Sequence, residues 1–173
     1  MGFDKTLTPV AGRPPLERVL SALGDRAVVV VVPSSAIDTV ATLAPNARIA
    51  VNDDPERGMA YSLRCALKCI ARTDCVGVIQ ADMPAITEAI IQATEAMLRD
   101  GIDVAYPVTL DGIGGHPVIF SAAMRECLEH LPDGDTLRCA RDAAITRATW
   151  MCTDVGAFLD LDDPNDWRAF SDA

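Results

Sequence analysis

The chain has 173 residues, half of them hydrophobic and 23% charged, with 15 Lys+Arg against 25 Asp+Glu. That length and apolar content suit a single domain, residues 1–173, with a substantial core, and they exclude a wholly disordered chain. A formal charge of −10 excludes the broad basic face with which a general nucleic-acid binder displaces counterions, though not a local basic pocket.

No apolar run approaches the roughly 20 residues that span a bilayer, so no membrane partner is expected. The N-terminus lacks the apolar stretch of a signal peptide. Six cysteines, none in a CxxC pair, are too sparse for a disulfide scaffold and fit reduced thiols in the cytoplasm. Cys65 and Cys69 stand four apart on a predicted helix, a spacing open to a metal pair but also to thiols that fill a helix face.

In chain order, Met1–Thr6 is too short and polar for a central strand, and Pro15–Leu23 reads as a helix. Ala27–Val32, β-branched and stopped by Pro33, reads as a strand buried on both faces. A right-handed crossover needs a preceding parallel strand for such a helix to pack upon. The expectation is therefore a gap in the sheet, or Met1 emerging where that strand would end. Ser34 or Ser35 is the expected cap of a helix ending before Pro45, followed by a short strand at Arg48–Val51. Gly58–Ile70 is predicted helical, with Met59, Leu63, Ala66, Leu67 and Ile70 on one face.

Cys75–Gln80 reads as a strand and Thr87–Arg99 as a helix stopped by Gly101. Val104–Val108 and Val118–Phe120 flank a glycine-rich turn and suggest a hairpin or bent strand pair. Ser121–His130 and Asp135–Ala143 look helical. Strands near Ala148–Cys152 and Ala157–Leu161 follow, and a last helix starts at Pro164. Strands alternating with helices give an α/β domain with a mostly parallel sheet. Such sheets bind ligands beyond the carboxyl ends of their strands.

Candidate residues collect at those ends. In Gln80-Ala81-Asp82-Met83-Pro84 the carboxylate ends an apolar strand, placed either to hold a divalent metal or to form a turn. Asp160 and Asp162 are further carboxylates, while Asp163 before Pro164 has the pattern of a helix N-cap. Mg²⁺ suits one or two carboxylates plus phosphate oxygens. Lys5 reads as a solvated charge or a phosphate ligand. Ser62 lies near a helix start that Gly58 opens, where unpaired N–H groups favour anions. His116 sits between Gly115 and Pro117 in a turn.

Together these pieces resemble a known family. Met1-Gly2-Phe3-Asp4-Lys5, followed by Leu7-Thr8-Pro9 and Gly12-Arg13-Pro14, is similar to the RMGxxK stretch of nucleotidyltransferases with the GT-A type fold. Gly58-Met59-Ala60-Tyr61-Ser62-Leu63 resembles the GMxxSL helix of molybdenum cofactor cytidylyltransferases. Ala81-Asp82-Met83-Pro84-Ala85-Ile86-Thr87 resembles their xDMPxxT loop, Gly115-His116-Pro117-Val118-Ile119-Phe120 their GHPVxF, and Leu161-Asp162-Asp163-Pro164-Asn165-Asp166-Trp167 their IDTPEDW. The segments keep the family's order over nearly the whole chain.

The resemblance implies a three-layer, Rossmann-like GT-A type domain. It implies metal-dependent transfer of a nucleoside monophosphate, CMP from CTP, onto a phosphate-bearing acceptor such as the molybdopterin cofactor, with pyrophosphate released. By carry-over, Lys5 neutralises the nucleotide phosphates, Asp82 and Asp162 hold Mg²⁺ or Mn²⁺, and Gly2, Gly58, Met59 and Ser62 line the nucleotide site. Gly115, His116 and Pro117 face the acceptor. Lys5 and Asp82 are then the catalytic pair.

Two features depart from the family. Met1 aligns with the Met of RMG, so the family's first strand and its LAAGxSxR loop have no counterpart in these residues. A longer natural chain or a misassigned start is the expectation, with a non-catalytic nucleotide-binding homologue as the rival. Gly134-Asp135-Thr136-Leu137-Arg138 stands where the family reads GDxGAR. A methylerythritol phosphate cytidylyltransferase is the other enzyme reading, although that family carries a DAARP-like segment where this chain has Ala81-Asp82-Met83-Pro84. The residues themselves leave CTP and GTP both open.

Overall fold

A computed structural model of the chain describes residues 5–171. Helix α1, Pro15–Leu23, begins with proline at its first position, buries Leu16 and Val19, and ends at Gly24, whose φ of 58° few other residues adopt. Strand β1, Val29–Val32, is followed by α2, Ile37–Leu43, and by β2, Arg48–Val51. β1 and β2 run parallel, Val29 opposite Arg48 and Val32 opposite Val51. Neither Ser34 nor Ser35 caps α2 with its side chain. A single 3₁₀ turn, Ser34–Ala36, leads into the helix instead, and the Ser34 N–H donates to Asp53 Oδ1 at 2.7 Å.

The second half holds α3 (Gly58–Leu67), β3 (Val76–Val78), α4 (Glu88–Glu95), β4 (Val104–Val108), β5 (Val118–Phe120), α5 (Arg125–Glu129), α6 (Leu137–Ala143), β6 (Arg147–Met151) and α7 (Pro164–Ser171). Thr87 caps α4 by accepting from Ile90 N–H. The strands lie in the order β3-β5-β4-β6. β4 and β6 are parallel, whereas β5 runs antiparallel to both β3 and β4, so β3, β4 and β6 share one direction. The chain is an α/β protein with parallel pairs and one reversed strand.

Several predicted elements are shorter than expected. α3 stops at Leu67, β3 keeps three residues of the Cys75–Gln80 run, and α4 ends at Glu95. The expected strand at Ala157–Leu161 does not form. Asp154 Oδ1 accepts from the Gly156 N–H and starts a 3₁₀ turn over Val155–Ala157. Gly156 packs on the backbone of Ala85, where an added Cβ would lie 2.1 Å from the carbonyl oxygen. An apolar run bound into that turn has no ladder left to join.

Among the described residues no strand lies between β1 and β3, so the strands form a two-stranded and a four-stranded sheet. A groove of about 280 Å³ lies where they approach, with Leu23 and Ala27 ahead of β1 on one wall and Gly77 and Ile79 on the other. This is the gap expected for α1 and β1. Lys5 and Thr6 lie in a turn, and the residues before them are outside the described part.

Burial accounts for the layering. Leu63 and Leu67 of α3, Leu128 of α5, and Leu137 and Ala140 of α6 pack with Val76, Val104 and Phe120 of the larger sheet. Val19 of α1 and Ile90 and Ile91 of α4 pack with Cys152, Ile79 and Trp150. Cys65 is buried, Cys69 is partly buried, and all six thiols are free. No described helix is long and apolar enough to cross a membrane.

One buried cation ties α3 to α5. Arg125, 6% exposed, donates to the carbonyls of Leu67, Ile70 (3.1 Å) and Ala71 (3.4 Å), and to Glu129 Oε1 at 2.8 Å. Its fork adds donors to carbonyls of the turn that ends α3, where those of Leu67 and Ala71 also accept from Ile70 N–H and Asp74 N–H. Arg125→Met keeps the bulk and removes those donors. We expect a loss of roughly 2–4 kcal/mol, because several charge-assisted hydrogen bonds and the pairing with Glu129 are lost together. Urea unfolding followed by circular dichroism measures it, and a change under about 0.5 kcal/mol would contradict it.

Candidate active site

The carboxyl ends of β3, β4 and β6 carry the loops on which the candidate residues sit. After β3, Met83 and Pro84 are buried and anchor the loop, while the Asp82 side chain keeps 12% of its surface exposed. The Leu161 N–H donates to the Asp82 carbonyl at 3.0 Å, joining this loop to the segment before α7. Asp163 caps α7 as its pattern predicts, with Oδ1 accepting from Asp166 N–H at 3.1 Å. Asp166 Oδ2 accepts in return from the N–H groups of Asp162 and Asp163. These reciprocal bonds fix the backbone at Asp162.

Lys5 closes the arrangement. Its Nζ lies 2.7 Å from Asp82 Oδ2 and 2.6 Å from Asp162 Oδ1. Residues 77 and 157 positions away thus converge on one cation. Burial works against the Lys5 charge, but the bonds to Asp162 and Asp82 outweigh it and raise its pKa. Asp160 shifts upward as well, first because it is desolvated and then because the Asp162 and Asp82 charges face it. Among the described residues no three His, Cys, Asp or Glu side chains form a ready-made metal cage. The all-oxygen pair at Asp82 and Asp162 suits a hard divalent cation whose other ligands are water and phosphate.

The predicted turn at Gly115-His116-Pro117 lies beside this cluster. Gly115 N–H donates to Pro107 O at 2.9 Å and His116 N–H to Ala157 O at 2.7 Å. A Cβ on Gly115 would lie 2.4 Å from that same Ala157 oxygen, so the turn requires glycine there. His116 Nδ1 lies 3.1 Å from the Val78 carbonyl at the end of β3. Desolvation chiefly, with the nearby Arg141 charge, lowers its pKa and keeps the ring neutral at pH 7.

The Gly58, Met59 and Ser62 group sits at the start of α3, behind β2. Gly58 has a φ of 81° and packs against Gly134, whose N–H donates to Arg57 O at 3.1 Å. Ser62 Oγ accepts from Asn52 Nδ2 at 2.9 Å, and Asn52 Oδ1 accepts from Asp54 N–H. Among the described residues no hydrogen bond links Ser62 to the Lys5–Asp82 pair. Gly2 lies outside the described residues. Asn52, 6% exposed, has no role in the sequence reading, although an Asn following a strand and preceding Asp53-Asp54-Pro55 is a recognisable turn signal. Arg57 and Arg64 also escape it. Both pair with Asp133, and the Arg57 guanidinium stacks 3.7 Å above the Tyr61 ring, which pins α3 to the 131–134 loop.

Residues 1–148 match the MobA-like NTP transferase domain family. The chain belongs to that family. It is therefore a nucleotidyltransferase with a nucleoside triphosphate as substrate. No curated protein matches the chain. Among solved structures, it is similar to the Mycobacterium tuberculosis Rv0371c homologue from Mycobacterium sp. strain JC1. That match has 22% identity and a TM-score of 0.82, over 99% of this chain and 88% of the other. A manganese complex of Rv0371c from M. tuberculosis H37Rv is 22% identical with a TM-score of 0.76, over 99% and 94%. The molybdopterin-guanine dinucleotide biosynthesis protein A of Archaeoglobus fulgidus is 14% identical with a TM-score of 0.73, over 99% and 90%. At these identities the likeness is one of fold.

Proposed function

We propose that this MobA-like protein transfers CMP from CTP to a phosphate-bearing acceptor of the molybdopterin type and releases pyrophosphate. The observation that carries the reading is the Lys5 ammonium held between Asp82 and Asp162 at the carboxyl edge of the larger sheet. A cationic charge and two carboxylates are what phosphoryl chemistry needs, since its catalysis is mostly positioning and neutralisation of charge.

In this reading an acceptor phosphate oxygen attacks the α-phosphorus of the nucleotide, the α–β bridging bond breaks, and pyrophosphate leaves with the electron pair. Asp82 and Asp162 would hold a divalent cation, Mg²⁺ or Mn²⁺, which supplies Lewis-acid stabilisation of the phosphoryl oxygens. The ammonium already seated between them supports that fit. A manganese-bound structure of similar fold points the same way. Lys5 turns from the carboxylates to the triphosphate and offsets charge developing on the leaving group. Gly58, Met59 and Ser62 line the nucleotide site, with Gly2 ahead of Lys5. Gly115, His116 and Pro117 form the acceptor side, where a neutral His116 presents a polar ring without adding charge.

A panel of the four nucleoside triphosphates with Mg²⁺ or Mn²⁺ and molybdopterin, read by pyrophosphate release, tests this. CTP should give the highest kcat/KM, by about tenfold or more over UTP, since hydrogen bonds to a base edge discriminate strongly. GTP as the preferred donor would move the base assignment. Turnover with a methylerythritol phosphate but not with molybdopterin would replace the acceptor.

A further inference from the structure

Arg141 on α6 differs from the other partly buried arginines. Arg57 and Arg64 pair with Asp133, Arg26 pairs with Glu95, and the buried Arg125 binds carbonyls and Glu129. Arg18, whose Nε is also shielded without a partner, still donates through Nη2 to the Val10 and Ala11 carbonyls. Arg141 is partly buried, its side chain makes no ion pair or hydrogen bond with any described residue, and its Nε is fully shielded from solvent without a partner. Its surroundings hold it in place all the same. The guanidinium carbon lies 4.6 Å from the centroid of the Tyr106 ring on β4, a stacked cation–π contact. The head group reaches over Gly114, where an added Cβ would lie 2.0 Å from Nη1. Gly114 thus leaves the space that the guanidinium fills.

Shielding a guanidinium N–H from water without a partner is costly, and a guanidinium fork matches the oxygens of phosphate or carboxylate. The position adds direction. Gly114 adjoins the Gly115-His116-Pro117 turn, and the Arg141 charge is felt at His116. Tyr106 lies on β4, and Gly114 lies in the turn after it that leads into Gly115-His116-Pro117.

We propose that Arg141, stacked on Tyr106 across Gly114, binds an anionic substituent, phosphate or carboxylate, on the acceptor substrate. The assignment rests on the nucleotidyltransferase reading and deepens it, giving the acceptor a second anchor besides its reacting phosphate. Arg141 is the specificity group for that substituent.

Inorganic phosphate is the probe, titrated into the full chain and followed by ³¹P line broadening. The Lys5→Met background removes the other phosphate-binding cation. Saturable binding should persist in Lys5→Met and weaken about tenfold or more in Lys5→Met/Arg141→Gln, as expected when a charge-assisted pair is lost. Gly114→Ala provides a second variant that keeps the charge and displaces the guanidinium, and phosphate binding should weaken there too. Circular dichroism confirms folding of each. Acetate competition separates the sources: displacement of phosphate by acetate at comparable concentration identifies a carboxylate site, and its failure identifies a phosphate site. Unchanged phosphate affinity in both Arg141→Gln and Gly114→Ala overturns the proposal. Mn²⁺–CTP binding is measured separately. Its absence, with Arg141-dependent phosphate binding intact, would support the anion site and remove the transferase reading instead.

Discussion

Asp82→Asn is expected to lower nucleotidyl transfer by about a thousandfold while leaving the fold unchanged. The estimate follows from the several kcal/mol that a divalent cation contributes to stabilising charge in such reactions, at 1.36 kcal/mol per factor of ten. The swap keeps the side-chain shape and removes the charge. The Leu161 N–H bonds the Asp82 backbone carbonyl rather than the carboxylate, so that contact survives, and Lys5 keeps its pairing with Asp162. Melting should therefore move by no more than about 3 °C. Steady-state pyrophosphate release at saturating Mg²⁺ and CTP, beside a thermal melt, reads both halves. Turnover within threefold of the parent chain would move the cation ligand elsewhere.

Lys5→Met should act in opposite directions on metal binding and on turnover. With the ammonium gone, Asp82 and Asp162 face each other uncompensated, and free Mn²⁺ should bind about tenfold more tightly when no nucleotide is present. Turnover should fall by about a hundredfold or more, because the cation that turns to the triphosphate is lost. Electron paramagnetic resonance of free Mn²⁺ reports the first effect and pyrophosphate release the second. In the parent chain, Mn²⁺ and CTP should each strengthen the binding of the other, since the triphosphate draws Lys5 off the carboxylates. Lost cooperativity in Lys5→Met completes the pattern. Weaker Mn²⁺ binding in the variant would mean that Lys5 does not occupy the cation position.

Much of this molecule follows from local signals in its sequence. Pro15 and Gly24 bound α1, and the β-branched run ahead of Pro33 makes β1. Asp163 before Pro164 caps α7. Each feature depends on residues within one turn of itself, so periodicity and cap chemistry suffice. The same holds for Asp82, whose position after an apolar strand and before proline marks a strand end.

Tertiary structure decided what those local signals could not. Ala157–Leu161 has the composition of a strand, but the 3₁₀ turn at Val155–Ala157, packed through Gly156 on Ala85, leads into an irregular segment that brings Asp162 to Lys5. A contact between residues 71 positions apart leaves no periodic trace. The order β3-β5-β4-β6 and the gap beside β1 likewise depend on which strand edges meet. Arg141 is the clearest case. On α6 it reads as one more solvated charge, and only the folded chain sets it on Tyr106 over Gly114 without a counter-charge. Sequence pattern determined the elements and the residue types available for phosphate chemistry. Long-range packing decided which of those charges are paired and which are left to meet a substrate, because pairing depends on distances of a few ångströms that chain position does not encode.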